Sequence, residues 1–222
     1  MLSAKPQLNL QSAREYFREH LCTGDYYSAG RKVTGEWVGQ GAETLGLKGA
    51  VKETDFLALC EGRNPATGQR MTARLNSERE QDGRKVANRR VFYDFTLSPP
   101  KSVSVVGLLQ DDRILALHDR AVRDTLRELE KFAETRVRKA GADVDRRTGN
   151  VVAATFQHDT SRELDPHLHT HCVVFNASFD AAENRWKALQ VQSMYRAQKF
   201  AENFYYHEVS KGLRALGYEI EN

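Results

Sequence analysis

The sequence has little of three features that would set it apart from ordinary globular proteins: long apolar runs, cysteine and proline. Its most apolar stretch, residues 103–109, is interrupted by Ser104 and Gly107 and is far shorter than the roughly 20 residues of a membrane-spanning helix. Five prolines and 15 glycines without a period exclude a collagen-like chain, and an apolar content of 40% excludes intrinsic disorder. The chain is therefore expected to fold and not to insert into a membrane.

Three cysteines are too few, and odd in number, for a disulfide framework. They are Cys22, Cys60 and Cys172. The first residues, MLSAKPQLNL, lack the apolar core of a secretory signal. Both observations predict a protein of the reducing cytoplasm.

Charge is nearly balanced overall, since 33 Lys and Arg oppose 30 Asp and Glu in 222 residues, for a net charge of +3. The distribution is uneven: residues 63–90 carry eight basic side chains against three acidic ones, a local balance of +5. The basic residues are Arg63, Arg70, Arg74, Arg79, Arg84, Lys85, Arg89 and Arg90. Such a stretch is either a solvated loop or a surface for a polyanion, which would bind with release of counterions.

Hydrophobic periodicity predicts helices and strands in mixed order. Residues 91–97 alternate, with Tyr93 and Phe95 on one face and Asp94 on the other. The predicted helices cover 12–24, 51–61, a segment starting at Lys101, 112–140 and 194–216, and the other predicted strands cover 151–158 and 167–176. This order predicts the α+β class, a central antiparallel β-sheet with flanking helices.

Four of the seven histidines lie within fourteen residues. They are His158, His167, His169 and His171. Strand alternation puts the last three on one face, and an antiparallel neighbour would bring His158 close to them. Isolated histidines are mostly surface or hydrogen-bonded core residues, but three imidazoles on rigid strands are typical of a catalytic metal site with open positions. Imidazole favours Zn, Mn, Fe, Ni or Cu over Mg, and Asp94 could orient one ligand.

Several segments together resemble one family. The segment 158–171, HDTSRELDPHLHTH, resembles the histidine motif of the MobF class of conjugative relaxases, which are HUH endonucleases. Residues 94–104, DFTLSPPKSVS, look like the strand-and-turn motif of that family, and residues 37–47, WVGQGAETLGL, look like its N-terminal signature. The pair Tyr26–Tyr27, after a helix carrying Tyr16, completes the set. The matches occur in family order over nearly the whole chain.

The resemblance implies the HUH relaxase fold and a site-specific DNA nickase of conjugative transfer. Such enzymes cleave single-stranded or melted origin-of-transfer DNA by transesterification. A tyrosine becomes linked to the 5′ phosphate, a 3′ hydroxyl is released, and the strand can be rejoined. The implied cofactor is a divalent metal, Mg or Mn in use, although Zn, Ni or Co could occupy the histidines. The implied partners are relaxosome accessory proteins and the conjugative secretion machinery, in a bacterial cytoplasm, with transfer of the protein to the recipient cell.

Carried over by position, the resemblance assigns roles to individual residues. Tyr16 matches the first nucleophile, Tyr26 and Tyr27 match the second tyrosine pair, and Asp94 matches the acidic residue beside the metal. The metal ligands are His158, His169 and His171, and the candidate DNA contacts are Lys101, Arg162, Arg89 and Arg90. Residues 1–222 are expected to be a relaxase domain truncated at its C-terminal end.

The sequence departs from the family pattern at two positions. Phe17 follows Tyr16 where many members have a second tyrosine, and His167 stands where glutamine is common. Two other functions stay open at this point. One is a His-triad metalloenzyme of another class, a hydrolase or an oxygenase, and the other is a DNA-binding module that does not cleave.

Overall fold

The computed structural model describes residues 1–22, 33–73, 78–81, 84–87, 90–139, 141–161, 163 and 165–220. The strands are β1 (Leu2–Gln7), β2 (Glu36–Val38), β3 (Glu78–Gln81), β4 (Arg84–Ala87), β5 (Phe92–Leu97), β6 (Glu134–Lys139), β7 (Ala142–Arg147), β8 (Ala153–Thr160), β9 (Pro166–Phe175), β10 (Ser178–Asp180), β11 (Arg185–Lys187) and β12 (Leu189–Gln190). The helices are α1 (Leu10–Tyr16), α2 (Gln40–Thr44), α3 (Glu53–Cys60), α4 (Lys101–Leu109), α5 (Arg113–Glu130), α6 (Gln192–Arg196) and α7 (Gln198–Ala215). A π-helical turn, Phe17–Leu21, follows α1 directly.

A five-stranded antiparallel sheet in the order β1-β5-β9-β8-β2 organises the fold. The alternation predicted for β5 and β9 is confirmed, and β8 pairs with β9 so that His158 lies directly opposite His169. The α+β prediction is therefore confirmed. Within the described residues, no helix is both long and apolar enough to cross a membrane.

The two faces of the sheet bury separate apolar clusters, because successive side chains of a strand point to opposite sides. Along β9, Cys172 and Val174 pack in the cluster that contains the buried sides of α5 and α7. Val173 and Phe175 pack in the other cluster, with α1, the π-helical turn and α3. The candidate site lies on this second face.

The long helix predicted over 112–140 is wrong beyond Glu130, where α5 ends. Residues 134–139 form β6 instead and pair with β7 in a hairpin. Gly141 stands at the turn with φ +83°, a conformation that glycine adopts without steric cost. Thr135 and Val137 are β-branched and two residues apart, a spacing that also fits a strand, so the helical reading of this short stretch was ambiguous.

The first helix also differs from its prediction. It begins at Leu10, and its N-cap is Asn9, whose side chain accepts the backbone N–H of Ser12 at 2.7 Å. Asparagine is as good an N-cap as serine, so the helix begins two residues before its predicted start at residue 12. β1 was missed because its sequence, LSAKPQ, has few apolar residues; its backbone pairs with β5 at the edge of the sheet.

A buried carboxylate ties the end of α5 to the start of α2. Glu130 is 4% exposed, and its Oε1 accepts the backbone N–H groups of Gln40 at 2.8 Å and Val151 at 2.7 Å. The chain enters α2 through Gly39 at φ +96°, where a Cβ would stand 2.5 Å from the carbonyl oxygen of Val151. Burial is the main cause that raises the pKa of Glu130.

Glu130→Ala is expected to lower the free energy of unfolding by about 2–4 kcal/mol, because two amide donors lose their acceptor. Glu130→Gln keeps an acceptor and should stay within about 1 kcal/mol of the wild type. Since the folded pKa is raised, the carboxyl stabilises the fold most below its unfolded pKa and loses that contribution as pH rises through the folded value. Denaturant unfolding across pH 4–8 should therefore show the Gln variant gaining on the wild type as pH rises.

Glu128→Ala is the matched control, since Glu128 lies on the same helix and pairs with the exposed Lys131. Its loss should stay below about 0.5 kcal/mol. Equal losses for Glu130→Gln and Glu130→Ala would show that the two amide bonds are not what the carboxylate contributes.

Candidate active site and metal centre

The candidate site lies at the end of the sheet where β8 finishes and β9 begins. His158 faces His169 across the β8–β9 pair, and the next strand, β5, places Thr96 opposite His171. Asp94 is on the same face of β5 as Thr96, because the two are two residues apart. Sheet register therefore assembles side chains from three strands on one rigid surface.

The three imidazoles predicted as metal ligands lie close together. The ring centroids are 5.4 Å apart for His158 and His169, 5.5 Å for His158 and His171, and 5.1 Å for His169 and His171. Three imidazoles around one ion, with nitrogen–metal distances of about 2.1 Å, have centroids about 5 Å apart. The residues therefore fit a metal in type and in spacing.

The orientation of the rings is not yet that of a coordination sphere. Across the described part of the chain, no group of three or more His, Cys, Asp or Glu side chains is already arranged to hold a metal ion. The rings of His158 and His169 are nearly parallel, at 24°, and His171 is almost perpendicular to both. Metal binding therefore requires the side chains to turn so that their nitrogen atoms converge.

Hydrogen bonds select the nitrogen that two of the imidazoles can offer. Nδ1 of His171 is 2.7 Å from Oδ2 of Asp94, and an ionised carboxylate only accepts hydrogen bonds. Nδ1 of His169 is 2.9 Å from the carbonyl oxygen of His167, which also only accepts. Both Nδ1 atoms therefore carry the proton, which leaves both Nε2 atoms as the metal-binding nitrogens.

Tyr16 is the residue of the candidate site that comes from a helix and not from the sheet. It is the last residue of α1, next to the π-helical turn, and such turns are frequent at functional sites. Its hydroxyl donates to Oδ2 of Asp94 and lies 3.3 Å from Nδ1 of His171. One carboxylate oxygen therefore contacts both the phenol and a candidate metal ligand.

Burial shapes the electrostatics of this group. Burial is the first cause that lowers the pKa of His169, to about 4, and the neighbouring His171 and His158 act in the same direction. An imidazole with this pKa is neutral at pH 7, which is the form that binds metals. Asp94 is only 6% exposed, and among the described residues its second oxygen, Oδ1, has no hydrogen-bond partner. Asp94 can therefore accept a further hydrogen bond at Oδ1.

The two departures from the family pattern have different surroundings. Phe17 is 4% exposed and packs on Phe56, with ring centroids 4.4 Å apart, so this position belongs to the core. His167 is half-buried and stacks on His169 at 4.8 Å and 19°. Tyr16 is thus the tyrosine of α1 that reaches the site, and His167 forms an outer layer on one candidate ligand.

The candidate DNA contacts are only partly brought to the site. Lys101 is the first residue of α4 and is exposed, with its Nζ 4.0 Å from Asp165. Arg90 is exposed and precedes β5, so it lies toward the opposite end of the sheet from His169. Four of the predicted residues lie outside the described residues: Tyr26, Tyr27, Arg89 and Arg162.

Sequence reasoning missed two contributors. Thr96 places its Oγ1 3.2 Å from Nδ1 of His171, and its position two residues after Asp94 was the signal that could have found it. His118 received no role from the sequence, yet it is buried behind β9 and contacts Thr170. That contact depends on helix packing, which the sequence pattern does not reveal.

The family model described as "TrwC relaxase" matches residues 10–222. The chain belongs to the TrwC relaxase family. This membership confirms the relaxase resemblance, and it favours that prediction over a His-triad hydrolase or oxygenase.

Relatives of the TrwC relaxase family match along the entire chain. The multifunctional conjugation protein TraI of Escherichia coli is 38% identical over 232 aligned positions, and TraI of Escherichia coli strain K12 is 36% identical. Each alignment covers 100% of this chain and 12% of the relative. The chain thus spans about an eighth of the length of the curated relatives it matches.

Solved structures of the conjugative relaxase TrwC also match the fold of this chain. A metal-free complex of TrwC with oriT DNA matches with a TM-score of 0.80 at 33% identity, covering 100% of this chain and 72% of that one. A copper-bound complex with oriT DNA matches with a TM-score of 0.83 at 35% identity and the same coverage. A TrwC complex with a 27-mer DNA comprising the recognition hairpin and the cleavage site has a TM-score of 0.81 at 32% identity, covering 100% of this chain and 71% of that one.

Proposed function

We propose that residues 1–222 form a relaxase domain that nicks one strand of origin-of-transfer DNA, with Tyr16 as the nucleophile. The observation that carries the proposal is the continuous contact from Tyr16 through Asp94 to His171. The nucleophile and a candidate metal ligand both contact the same carboxylate oxygen, which can act as the proton acceptor. The family and its DNA-bound TrwC members support the same activity.

Asp94 solves the main chemical difficulty of a phenol nucleophile. A phenol with a pKa of about 10 is about 0.1% ionised at neutral pH. In the proposed step, Oδ2 of Asp94 accepts the Tyr16 proton while the phenolate oxygen attacks the phosphorus. The new bond joins the Tyr16 oxygen to the 5′ phosphate, the bond to the 3′ oxygen breaks, and that oxygen takes up a proton from solvent while Asp94 holds the proton from Tyr16. The tyrosyl ester conserves the phosphodiester energy, so the reverse attack rejoins the strand.

The three imidazoles of His158, His169 and His171 would hold a divalent metal. When bound, this ion would neutralise charge on the phosphate oxygens and orient the phosphorus for in-line attack. The metal-bound and copper-bound TrwC complexes support a divalent cofactor. We propose Mg or Mn as the working ion, while Zn, Ni or Co suit the imidazole ligands.

Asp94 orients His171 by accepting the hydrogen bond from its Nδ1, and the carbonyl oxygen of His167 orients His169 in the same way.

Lys101, at the start of α4, is proposed to contact a DNA phosphate, because its ammonium is exposed and its pairing with Asp165 at 4.0 Å is weak. Arg90, Arg89 and Arg162 are proposed as further phosphate contacts on charge, and Tyr26 and Tyr27 as nucleophiles of a second cleavage.

The proposal is tested with a labelled single-stranded oligonucleotide that spans the cognate origin. The protein is incubated with it in Mg²⁺ or Mn²⁺ and separated under denaturing conditions. A covalent protein–DNA adduct and a fragment with a free 3′ hydroxyl are expected. Specific binding of the oligonucleotide without an adduct, in any of these metals, would favour the non-cleaving DNA-binding module instead.

Asp94→Asn is expected to slow nicking by about 10²–10⁴-fold, because an amide cannot take up the Tyr16 proton. The rate of this variant should rise with pH toward the phenol pKa, since hydroxide replaces the missing acceptor. The wild-type profile should be flatter over the same range. Single-turnover rates between pH 6 and 9.5 measure this, with Asp119→Asn as the control, since Asp119 is a partly exposed carboxylate paired with Arg123. Parallel pH profiles would refute the proton-acceptor role.

The cellular setting is proposed from the relatives, which are named as conjugation proteins of Escherichia coli. We propose that the domain acts in a bacterial cytoplasm with relaxosome accessory proteins. It would then follow the DNA through the conjugative secretion machinery into the recipient cell.

A further inference from the structure

A series of hydrogen-bonded side chains crosses the core behind the three imidazoles. His118, in the second turn of α5, is 1% exposed. Its Nδ1 lies 2.7 Å from the hydroxyl of Tyr205 on α7, and its Nε2 lies 2.8 Å from the hydroxyl of Thr170 on β9. The rings of His118 and Tyr205 also meet edge to face, with centroids 5.8 Å apart. One imidazole thus joins two helices and the central strand with both of its nitrogens.

Thr170, the residue of β9 that contacts His118, lies between two candidate ligands. Thr170 separates His169 from His171 and points to the opposite face of the sheet, because side chains alternate along β9. In the sheet it pairs with Leu97 and Gln157. β9 is therefore held laterally by β5 and β8, and from behind by His118, at the point where its ligands project forward.

Burying an imidazole in a core costs free energy because its polar atoms lose their hydration. Burial is the main cause that lowers the pKa of His118, to about 3, so the ring is neutral. A neutral imidazole has one donor and one acceptor, which two hydroxyl groups can match. An apolar side chain would fill the space without desolvating polar atoms, so the two directed bonds are the property that histidine adds here.

We propose that His118 is a positioning residue for the metal centre, which fixes the strand segment carrying His169 and His171 by its hydrogen bond to Thr170. This inference rests on the proposed function, because it assigns the three imidazoles to a metal. Direct outer partners of metal ligands typically change metal affinity by 10–100-fold. Because this link acts through the strand backbone, an effect near the lower end is expected.

The test measures Co²⁺ binding to the whole domain, by competition with a chelator and by the visible absorption of the bound ion. Thr170→Val removes the hydroxyl and keeps the side-chain shape, and it should weaken Co²⁺ binding about tenfold and alter the absorption band. Thr170→Ser keeps the hydroxyl and should stay close to the wild type. His118→Phe should match Thr170→Val. In nicking assays, kcat should fall for Thr170→Val while KM for the oligonucleotide stays constant.

Thr125→Val is the matched control. Thr125 is as buried as Thr170, but its hydroxyl donates to the carbonyl oxygen of Ala121 within its own helix, α5. This variant should lose stability without losing Co²⁺ affinity. If His118→Phe does not fold, Thr170→Val and Thr170→Ser decide the question.

Two results would overturn the inference alone: wild-type Co²⁺ affinity in Thr170→Val, or an equal loss of affinity in Thr125→Val. A different result would overturn the proposed metal site itself. That result is a wild-type protein that does not bind Co²⁺, or one whose binding is unchanged by His169→Ala.

Discussion

Tyr16→Phe is expected to abolish the covalent protein–DNA adduct, with nicking reduced by at least about 1,000-fold. The change removes one oxygen atom, which is the proposed attacking atom. The ring stays in place because it packs beside Phe92 and His171, with centroids 6.0 Å away in each case. Adduct formation on a denaturing gel and single-turnover cleavage of the origin oligonucleotide measure the effect.

The variant should fold and bind DNA as the wild type does. The lost hydroxyl contacts Asp94 and His171, and a loss of about 1 kcal/mol in stability is expected. Tyr218→Phe is the matched control, since that hydroxyl bonds Asp111 and should leave nicking unchanged. If the adduct persists in Tyr16→Phe, the nucleophile is not Tyr16, and Tyr26 and Tyr27 are the next tyrosines to replace.

His169→Ala is expected to weaken divalent-metal binding by at least about 100-fold and to reduce nicking by a similar factor at limiting metal. His169 is the ring that lies within 5.4 Å of both other imidazoles of the triad, so its removal leaves two ligands. Removal of metal from the wild type with a chelator should have the same effect on nicking, and added Mn²⁺ should restore the wild type but not the variant.

Two histidines serve as controls for this prediction. His207 is exposed on α7, and His207→Ala should change neither metal binding nor nicking. His167→Ala should weaken metal binding by less than about tenfold, because the His167 side chain stacks on His169 while the Nδ1–H of His169 is accepted by the His167 backbone, which the substitution keeps. A loss in His167→Ala as large as that in His169→Ala would make His167 a metal ligand and contradict the assignment of the triad.

Strand periodicity was a reliable guide where both faces of a strand are defined. Along β9 the alternation placed His169 and His171 on one face, and the structure confirms it. It was less reliable at 134–139, where a short apolar pattern fits a helix and a strand equally well and where pairing with β7 decided the outcome. Periodicity reports only which side a residue occupies in an assumed element, so the type of a short element depends on its neighbours.

The resemblance also indicated Asp94 as the acidic residue beside the imidazoles, and its Oδ2 lies 2.7 Å from Nδ1 of His171. It did not find the chain from Tyr205 through His118 to Thr170. His118 lies in a helix with an otherwise regular apolar face, and its two partners come from elements 52 and 87 residues away. Nothing local to His118 distinguishes it from an ordinary polar interruption of that face.

The sequence by itself indicated the family through several motifs that resemble it, and it also determined the strand that carries the imidazoles and the set of candidate tyrosines. These properties are local, since motifs and alternation are read along the chain. Only the tertiary structure decided that Tyr16 reaches Asp94 across 78 residues and that Phe17 belongs to the core. Both outcomes depend on how α1 and the π-helical turn pack against α3 and the sheet. This non-local arrangement is set by the burial of the apolar cluster that contains Phe17, Phe56 and Phe175.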